Sequence, residues 1–395
     1  MIKTALIIER ADIALGGAER SIFELKSQLS TLGIKVTILA AKGHSSLDDI
    51  KVLCNRPGRR RCGLAEFQTA IRKHLAQNDY DIIHSTLPFD FADVYQPRGG
   101  SYPETIVRNA ASYQNKLVSS YKLLTHRANL RRAALLHAER QLCSNEHRTI
   151  VAALSQYVQR QFEQHYGLDH ERIVVIPNGV KLPKQASRTH ADKLRTQILT
   201  RLAITESSEP TMFLFAANNF RLKGLWNLIK AMQLLSRRQT ARRAYLVVAG
   251  SASSAKYRRL ARKSGVGEKI VFLGQLRNIQ DALSICDIAI SPTYYDPCSR
   301  YILEALAGAK PVITTRFNGA SEMFVNNRHG ITIDSPDEIG QLADAINHYC
   351  DRTNVRKATD AIIADNLGDS ISIARHAERV VKLYKSILQT KGVKW

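Results

Sequence analysis

Short β-branched and apolar runs alternate with stretches of helical periodicity along this chain, which predicts an α/β fold of two doubly wound domains. Length and a mid-chain change of composition support the same reading. A chain of 395 residues exceeds one ordinary core and suits two domains of ~150 to 200 residues each. With 44% hydrophobic residues it can bury both.

In the first half, the runs Thr4–Ile8, Ile34–Leu39 and Asp81–His84 read as strands, each flanked by helical periodicity. A long helical region from Tyr102 to Tyr166 departs from strict alternation. Ile150–Ser155 and Ile173–Ile176 close the half, and the first domain is predicted over 1–180. Thr, Ser, Gln and charge dominate Lys181–Pro210, a linker with an irregular helix. The second domain, 181–370, is more regular: strands at Met212–Ala216, Tyr245–Ala249, Ile270–Leu273, Ile288–Ser291, Pro311–Thr315 and Ile331–Asp334, with a helix between each pair. That pattern is a Rossmann-like nucleotide-binding domain, whose ligand belongs at the carboxyl ends of its strands. The last helix is expected over Ile371–Leu388. The chain has neither a short-period repeat nor a low-complexity tract.

No apolar run approaches the ~18 residues of a membrane span, and Met1–Ile8 meets Glu9 too soon for a signal peptide. A cytoplasmic protein is therefore expected. The six cysteines are scattered with no C-x-x-C pair, which argues for reduced thiols. Cys298 reads as a small neutral filler, with a reactive thiol as the alternative.

The formal net charge of +22 implies an anionic partner surface, nucleic acid or membrane. Aromatics make up only 7% of the chain and do not interleave with arginine, and neither a zinc finger nor a helix-turn-helix pattern appears. Basic residues gather instead between Lys116 and Arg148. There Lys122, His126, Arg127, Arg131, Arg132 and Arg140 alternate with Leu123, Leu124, Leu130, Leu135, Leu136 and Leu142. A basic amphipathic segment of this kind suits attachment to anionic lipid; the alternative is a solvated face on a helix covering its domain.

The chemistry is most legible at Asp296–Leu306, where Asp296 and Glu304 stand across the junction of the Asp287–Pro292 strand and a helix from about Arg300 to Ala307. Such a junction points backbone N–H groups and the positive end of a helix dipole out of the carboxyl edge, where phosphate is stabilised. The N–H groups of Arg300, Tyr301 and Ile302 lie at that helix start. Glu304, just over a turn inside, is within reach of a ribose hydroxyl. Asp296 sits on the loop, nearer whatever the phosphates carry. Acids beside a diphosphate act as hydroxyl acceptors rather than charge partners.

Further motifs run in order along nearly the whole chain: Ile7-Ile8-Glu9-Arg10 leading to Gly16-Gly17-Ala18-Glu19-Arg20, then Ile176-Pro177-Asn178-Gly179-Val180, then Phe220-Arg221-Leu222-Lys223-Gly224. With the Asp296–Glu304 pair they resemble the retaining family-4 glycosyltransferases of GT-B fold. Within that family, Pro88–Tyr95 looks most like the lipopolysaccharide core glucosyltransferases that act on heptose. The resemblance implies two Rossmann-like domains facing a cleft, with a C-terminal segment, 371–395, crossing back onto the first. It implies transfer of a hexose from a nucleotide sugar, UDP-linked, to a lipid-linked saccharide such as lipopolysaccharide core, with retention and with the leaving phosphate as base. The protein would then be peripheral on the inner face of the cytoplasmic membrane.

Residue by residue, Asp296 stands where most of the family has Glu, shortening the arm by one methylene. The family places an Arg five residues before its Lys; that position is Asn218 here, and Arg221 is the substitute by reach. The resemblance assigns Asp93, Asp296 and Lys223 to catalysis. It assigns Gly16, Gly17, Arg221, Lys223, Gly250, Leu276, Arg300, Tyr301, Ile302 and Glu304 to the donor. Gly16 and Gly17 would let backbone approach a phosphate or acceptor sugar, and Gly274–Arg277 would border the base, with Arg277 either stacked on it or exposed. Asp90 and His84 are rivals to Asp93; His84 ends a strand, as an acid/base group or as a buried hydrogen-bonding residue. Arg98 with Gly99-Gly100 would hold an acceptor phosphate. Neither cofactor nor metal is expected, since no Asp-x-Asp follows an apolar strand and no histidines show paired ligand spacing; nor is nucleic acid expected. The alternatives are a sugar-nucleotide epimerase of the same fold, which leaves the charge unexplained, and a nucleic-acid-binding protein on a degenerate transferase scaffold.

Overall fold

The computed structural model describes residues 1–12, 17–43, 49–54, 62–144, 147–183, 188–205, 207, 209–240, 243–393 and 395. They form two compact units: 1–110 with 115–179 and 373–395, and 180–372 with 111–114.

The first unit holds strands β1 (Lys3–Ala11), β2 (Lys35–Gly43), β3 (Ile50–Val52), β4 (Ile82–Ser85), β5 (Val94–Tyr95), β6 (Ile150–Ala153) and β7 (Ile173–Val175) in the order β3-β2-β1-β4-β5-β6-β7. Every pairing is parallel. Its first helices are α1 (Gly17–Thr31), α2 (Leu64–Leu75) and α3 (Tyr102–Ala111). The stretch expected as one long helical region is divided. Asn115 caps α4 (Lys116–Leu124), its Oδ1 accepting from the Leu117 N–H at 2.9 Å, and Asn129 caps α5 (Leu130–Leu142), accepting from the Arg132 N–H at 3.1 Å. Beyond β6 lies α6 (Gln156–Tyr166), stopped by Gly167 in the left-handed region.

The second unit opens with α7 (Arg188–Leu202), a regular helix where the composition suggested an irregular one. Strands β8 (Thr211–Ala216), β9 (Ala244–Ala249), β10 (Ile270–Gly274), β11 (Ile288–Ser291), β12 (Val312–Thr315) and β13 (Gly330–Ile333) run parallel in the order β10-β9-β8-β11-β12-β13. This is the doubly wound order that reverses between first and fourth strands, and the crevice at that reversal is where such sheets take ligands. Its helices are α8 (Leu225–Arg237), α9 (Ala255–Lys263), α10 (Ile279–Ile285), α11 (Arg300–Ala307), α12 (Ile339–His348), α13 (Arg352–Ala364) and α14 (Leu367–Ser370). Because helices cover both faces, β8, β11 and β12 are buried almost throughout, hence their apolar and β-branched sequences without polar alternation.

The final helix, α15 (Ile373–Thr390), belongs to the first unit. Its Ile373, Ala377, Val380 and Tyr384 pack into one cluster with Leu6, Ile8, Leu25 and Ile38. No described helix is long and apolar enough to cross a membrane.

Candidate active site

The switch point of the second sheet lies between β8 and β11, and the loops leaving those strands are tied together. The Tyr294 N–H donates to the Leu222 carbonyl at 2.9 Å, and the buried Thr293 hydroxyl donates to Leu222 O at 3.2 Å and to Tyr295 O at 2.9 Å. Gly224, at φ +78° in front of α8, presses so closely on the second loop that a Cβ there would fall 2.0 Å from the Pro292 carbonyl oxygen. Only glycine fits such an approach.

This scaffold brings Lys223 and Asp296 into contact. Lys223 Nζ lies 2.6 Å from Asp296 Oδ2 and donates to Tyr295 O at 3.0 Å, with both side chains mostly shielded. Asp296 is fixed on its other side as well: its Oδ1 accepts from the Cys298 N–H at 3.2 Å, its own N–H donates to Phe317 O at 2.9 Å, and its carbonyl accepts from Gly319 N at 2.8 Å. Asn318, fully buried, completes the clamp. Its Oδ1 accepts from Ser299 N at 3.2 Å and Ala320 N at 3.1 Å, while its Nδ2 donates to Thr314 Oγ1 at 2.9 Å. Sequence reasoning missed Asn318. The Asn318-Gly319 pair reads as a turn, but that turn's grip on the Asp296 loop is visible only in three dimensions.

From Ser299 the chain enters α11, and the Ser299 side chain makes no capping hydrogen bond there. Arg300 and Glu304 pair across one helical turn at 3.4 Å, both largely buried. A buried Glu with a guanidinium beside it remains a strong acceptor for a hydroxyl. The Tyr301 hydroxyl donates into the sheet at the Leu214 carbonyl, and Ile302 is fully buried in the core. These two offer a ligand only their backbone. Cys298 is buried, as its filler reading requires.

The Arg221 guanidinium stacks 3.8 Å above the Tyr113 ring and donates to the Ser112 hydroxyl. Gly250, at φ +146°, ends β9 so close to the β8 loop that a Cβ would meet the Ala217 carbonyl oxygen at 1.8 Å. Leu276 is half-buried beyond β10 and Arg277 exposed. Asn218, in place of an arginine, accepts from the Ser251 hydroxyl at 3.2 Å.

In the first unit a cavity of about 210 Å³ opens at the carboxyl edge, lined by Glu9, Arg10, Glu19, Thr86, Arg98 and Gly99 among others. Arg98 donates to Asn178 Oδ1 at 2.5 Å, joining the Arg98-Gly99-Gly100 turn to the Pro177-Asn178-Gly179 turn. Gly17 begins α1 on the exposed surface; Gly16 lies outside the described residues.

Asp93 is not at this edge. It directly precedes β5, at the amino end of the sheet, where Oδ2 accepts from the Ile83 N–H at 2.8 Å and Oδ1 pairs with Lys391 at 2.6 Å. Its catalytic assignment is corrected accordingly: the carboxylate ties strand ends and a C-terminal lysine together on the edge opposite the cavity. Asp90 pairs with Arg72 at 3.0 Å. His84 is fully buried, its Nδ1 2.7 Å from the Tyr384 hydroxyl. Burial, and secondarily the charges of Arg98 and His376, lower its pKa to about 3. It is a neutral core residue, as the buried alternative held.

The basic segment presents a surface the sequence only half described. Leu135 and Leu142 pack inward from α5, but α4 buries nothing: Leu117 and Leu124 are each 80% exposed, Tyr121 60%, and Leu130, opening α5, 83%. Arg131 pairs with Glu9 at 2.5 Å.

Comparison with known proteins defines the class. Residues 15–183 match the Glycosyltransferase Family 4 model and residues 200–362 the model for glycosyl transferases group 1. The chain is a glycosyltransferase of GT-B fold belonging to this group. Among its relatives is the lipopolysaccharide glucosyltransferase WaaG of Escherichia coli K12, 21% identical over 87% of this chain and 88% of WaaG. The crystal structure of a WaaG superposes with a TM-score of 0.75 at 19% identity, covering 97% of this chain and 99% of the other. Anabaena HepE, solved with UDP-glucose, superposes with a TM-score of 0.69 at 18% identity, over 99% of this chain and all of HepE.

Proposed function

We propose that this glycosyltransferase moves a hexose from a UDP-sugar to a lipid-linked saccharide, lipopolysaccharide core being the model acceptor, with retention, at an anionic membrane surface. The observation that carries the reading is the Lys223–Asp296 contact beside the start of α11 at the sheet's switch point, with Glu304 one turn inside.

In this reading the base lies along the edge near Gly250 and the Leu276 backbone, and Glu304 accepts from the ribose. The diphosphate rests on the N–H groups of Arg300, Tyr301 and Ile302. Charge grows on the leaving phosphate as the glycosidic bond breaks, and Lys223 is the cation within reach to stabilise it. Asp296, relieved of the ammonium, accepts from hydroxyls of the sugar. The acceptor hydroxyl gives its proton to the departing phosphate oxygen on the same face, which retains configuration without an enzyme nucleophile. Arg221, held on Tyr113, contributes through the long-range field of its charge.

Similarity to WaaG supports the acceptor class, and HepE's UDP-glucose supports the donor nucleotide. The water-exposed apolar side of α4, with Lys116 and Lys122 on the same helix and Arg131 and Arg132 following, supports the membrane surface. The test is mass spectrometry of sugar transfer from a panel of nucleotide sugars onto a truncated lipopolysaccharide core. Transfer from a UDP-hexose is expected. Donor hydrolysis without transfer would refute the acceptor, and binding of no UDP-sugar would refute the reading as a whole.

A further inference from the structure

Beside the polar cavity of the first unit lies a second one of about 480 Å³, within the ~300–1,000 Å³ typical of small-ligand sites. Its floor is Ala41, Phe67, Leu87 and Leu135, all buried members of one core cluster. Small exposed residues, Ala65 of α2 and Ala134 of α5, form the rim and leave it open. Among its described lining residues, the charged side chains are Glu9 and Arg131, which neutralise each other. Glu9 and Leu87 also line the polar cavity, so the two compartments share a wall.

An occupant of such a place must be apolar, because the floor offers no hydrogen-bonding side chain, and must be joined to something polar if it is to fill both compartments. An oligosaccharide alone satisfies the first cavity and leaves the second wetted. A single alkyl chain carried by a hydroxylated head satisfies both. Leu130, which lines this cavity and is itself exposed, opens α5 soon after α4 in the chain, where Leu117, Tyr121 and Leu124 are exposed as well. That succession of exposed apolar residues suits a chain drawn from a lipid surface.

We propose that the apolar cavity receives an alkyl chain of the acceptor, whose saccharide head occupies the adjoining polar cavity. The inference rests on the lipid-linked acceptor of the preceding reading and narrows it: the sugar accepting the hexose stands within a few bonds of its lipid, as in a simple glycolipid, rather than several sugars away as in lipopolysaccharide core.

The experiment titrates the full chain with methyl, hexyl and octyl β-glucosides below their micellar concentrations, with UDP binding measured in parallel. Each added methylene should tighten binding roughly threefold to fourfold until the cavity is full. Ala134→Trp, a substitution at an exposed helical position that fills the space, should abolish that dependence; Ala65→Leu serves the same end should the Trp variant fail to fold. Leu124→Ser, on α4, should leave it intact. Equal affinity for methyl and octyl glucoside would overturn the proposal. So would chain-length dependence that survives Ala134→Trp and disappears with Leu124→Ser, since the chain would then lie on the helix surface. In either case intact UDP binding leaves the transferase reading standing, whereas lost UDP binding removes that reading itself.

Discussion

In the second unit the loops at the sheet reversal are pinned to one another, through Thr293, Gly224 and the Asn318 clamp, and hold an ammonium and a carboxylate in contact. In the first unit the corresponding edge surrounds open space: a polar cavity, an apolar one, and an ion pair between them. Both sheets wind alike, yet one edge is closed around charge and the other left hollow. The difference is the one expected of a site that stabilises a developing charge and a site that accommodates a bulky partner. Preorganised electrostatics need rigid loops, whereas recognition of a bulky ligand needs volume.

The sharpest way to break this comparison is Lys223→Ala. If the second unit's edge is the charge-stabilising one, the chemical step should slow by about a hundredfold in single-turnover assays, with acceptor affinity unchanged; an effect confined to acceptor affinity would reverse the roles of the two edges. Glu304→Gln should cost about 2–4 kcal/mol of donor recognition, hence at least tenfold in kcat/KM, while circular dichroism reports an intact fold. Near-normal kinetics would remove the ribose contact.

Gly224→Ala tests rigidity rather than charge. A side chain against the Pro292 carbonyl at positive φ should destabilise the protein by about 1–3 kcal/mol and lower turnover, seen as a reduced Tm together with a slower chemical step. Asp93→Asn, by contrast, should leave turnover within about twofold and cost roughly 1 kcal/mol of stability. A large loss of activity there would contradict its placement at the amino edge.

The smallest expected effect is a pH slope. Glu139 is fully buried on α5, accepting from Tyr95 OH at 2.8 Å, Tyr102 N at 2.8 Å and Tyr166 OH at 2.6 Å. Burial outweighs these donors and raises its pKa from 4.5 to about 7. Between those values the folded state binds the proton more tightly than the unfolded one, so this group's contribution to stability falls as pH rises from 4.5 to 7. His84, with its pKa lowered by burial to about 3, contributes the opposite slope below pH 6.5. Glu139→Gln should therefore remove only the falling component, measured as the difference in denaturation midpoint between variant and parent across that range.

Much of the fold was legible because parallel strands buried on both faces leave long apolar runs: β8, β9 and β11 fall within a residue of their predicted bounds. Strands β3 and β5, of three and two residues, are too short to carry any period and were missed. At the site, the positions of Asp296 and Glu304 around the start of α11 and of Lys223 on the loop after β8 were legible from spacing, while their roles belong to the proposed function. The contacts of Arg221 with Ser112 and Tyr113 were not legible, because those partners lie far away in sequence. Asp93 was assigned by resemblance alone, without a local signal, and it lies just before a two-residue strand too short to predict, which puts it at the amino edge of the sheet.

The exposed side of α4 has a consequence for the protein in dilute buffer. Copies carrying a net charge of +22 repel one another, and that repulsion opposes contact between leucines such as Leu117 and Leu124 left in water. Raising ionic strength shortens the reach of the repulsion, to ~3 Å at 1 M salt, while leaving the attraction in place. Purified protein should thus be monomeric at low ionic strength and self-associate as salt is added, the reverse of a salt-bridged oligomer, with a mild detergent restoring the monomer by covering the helix.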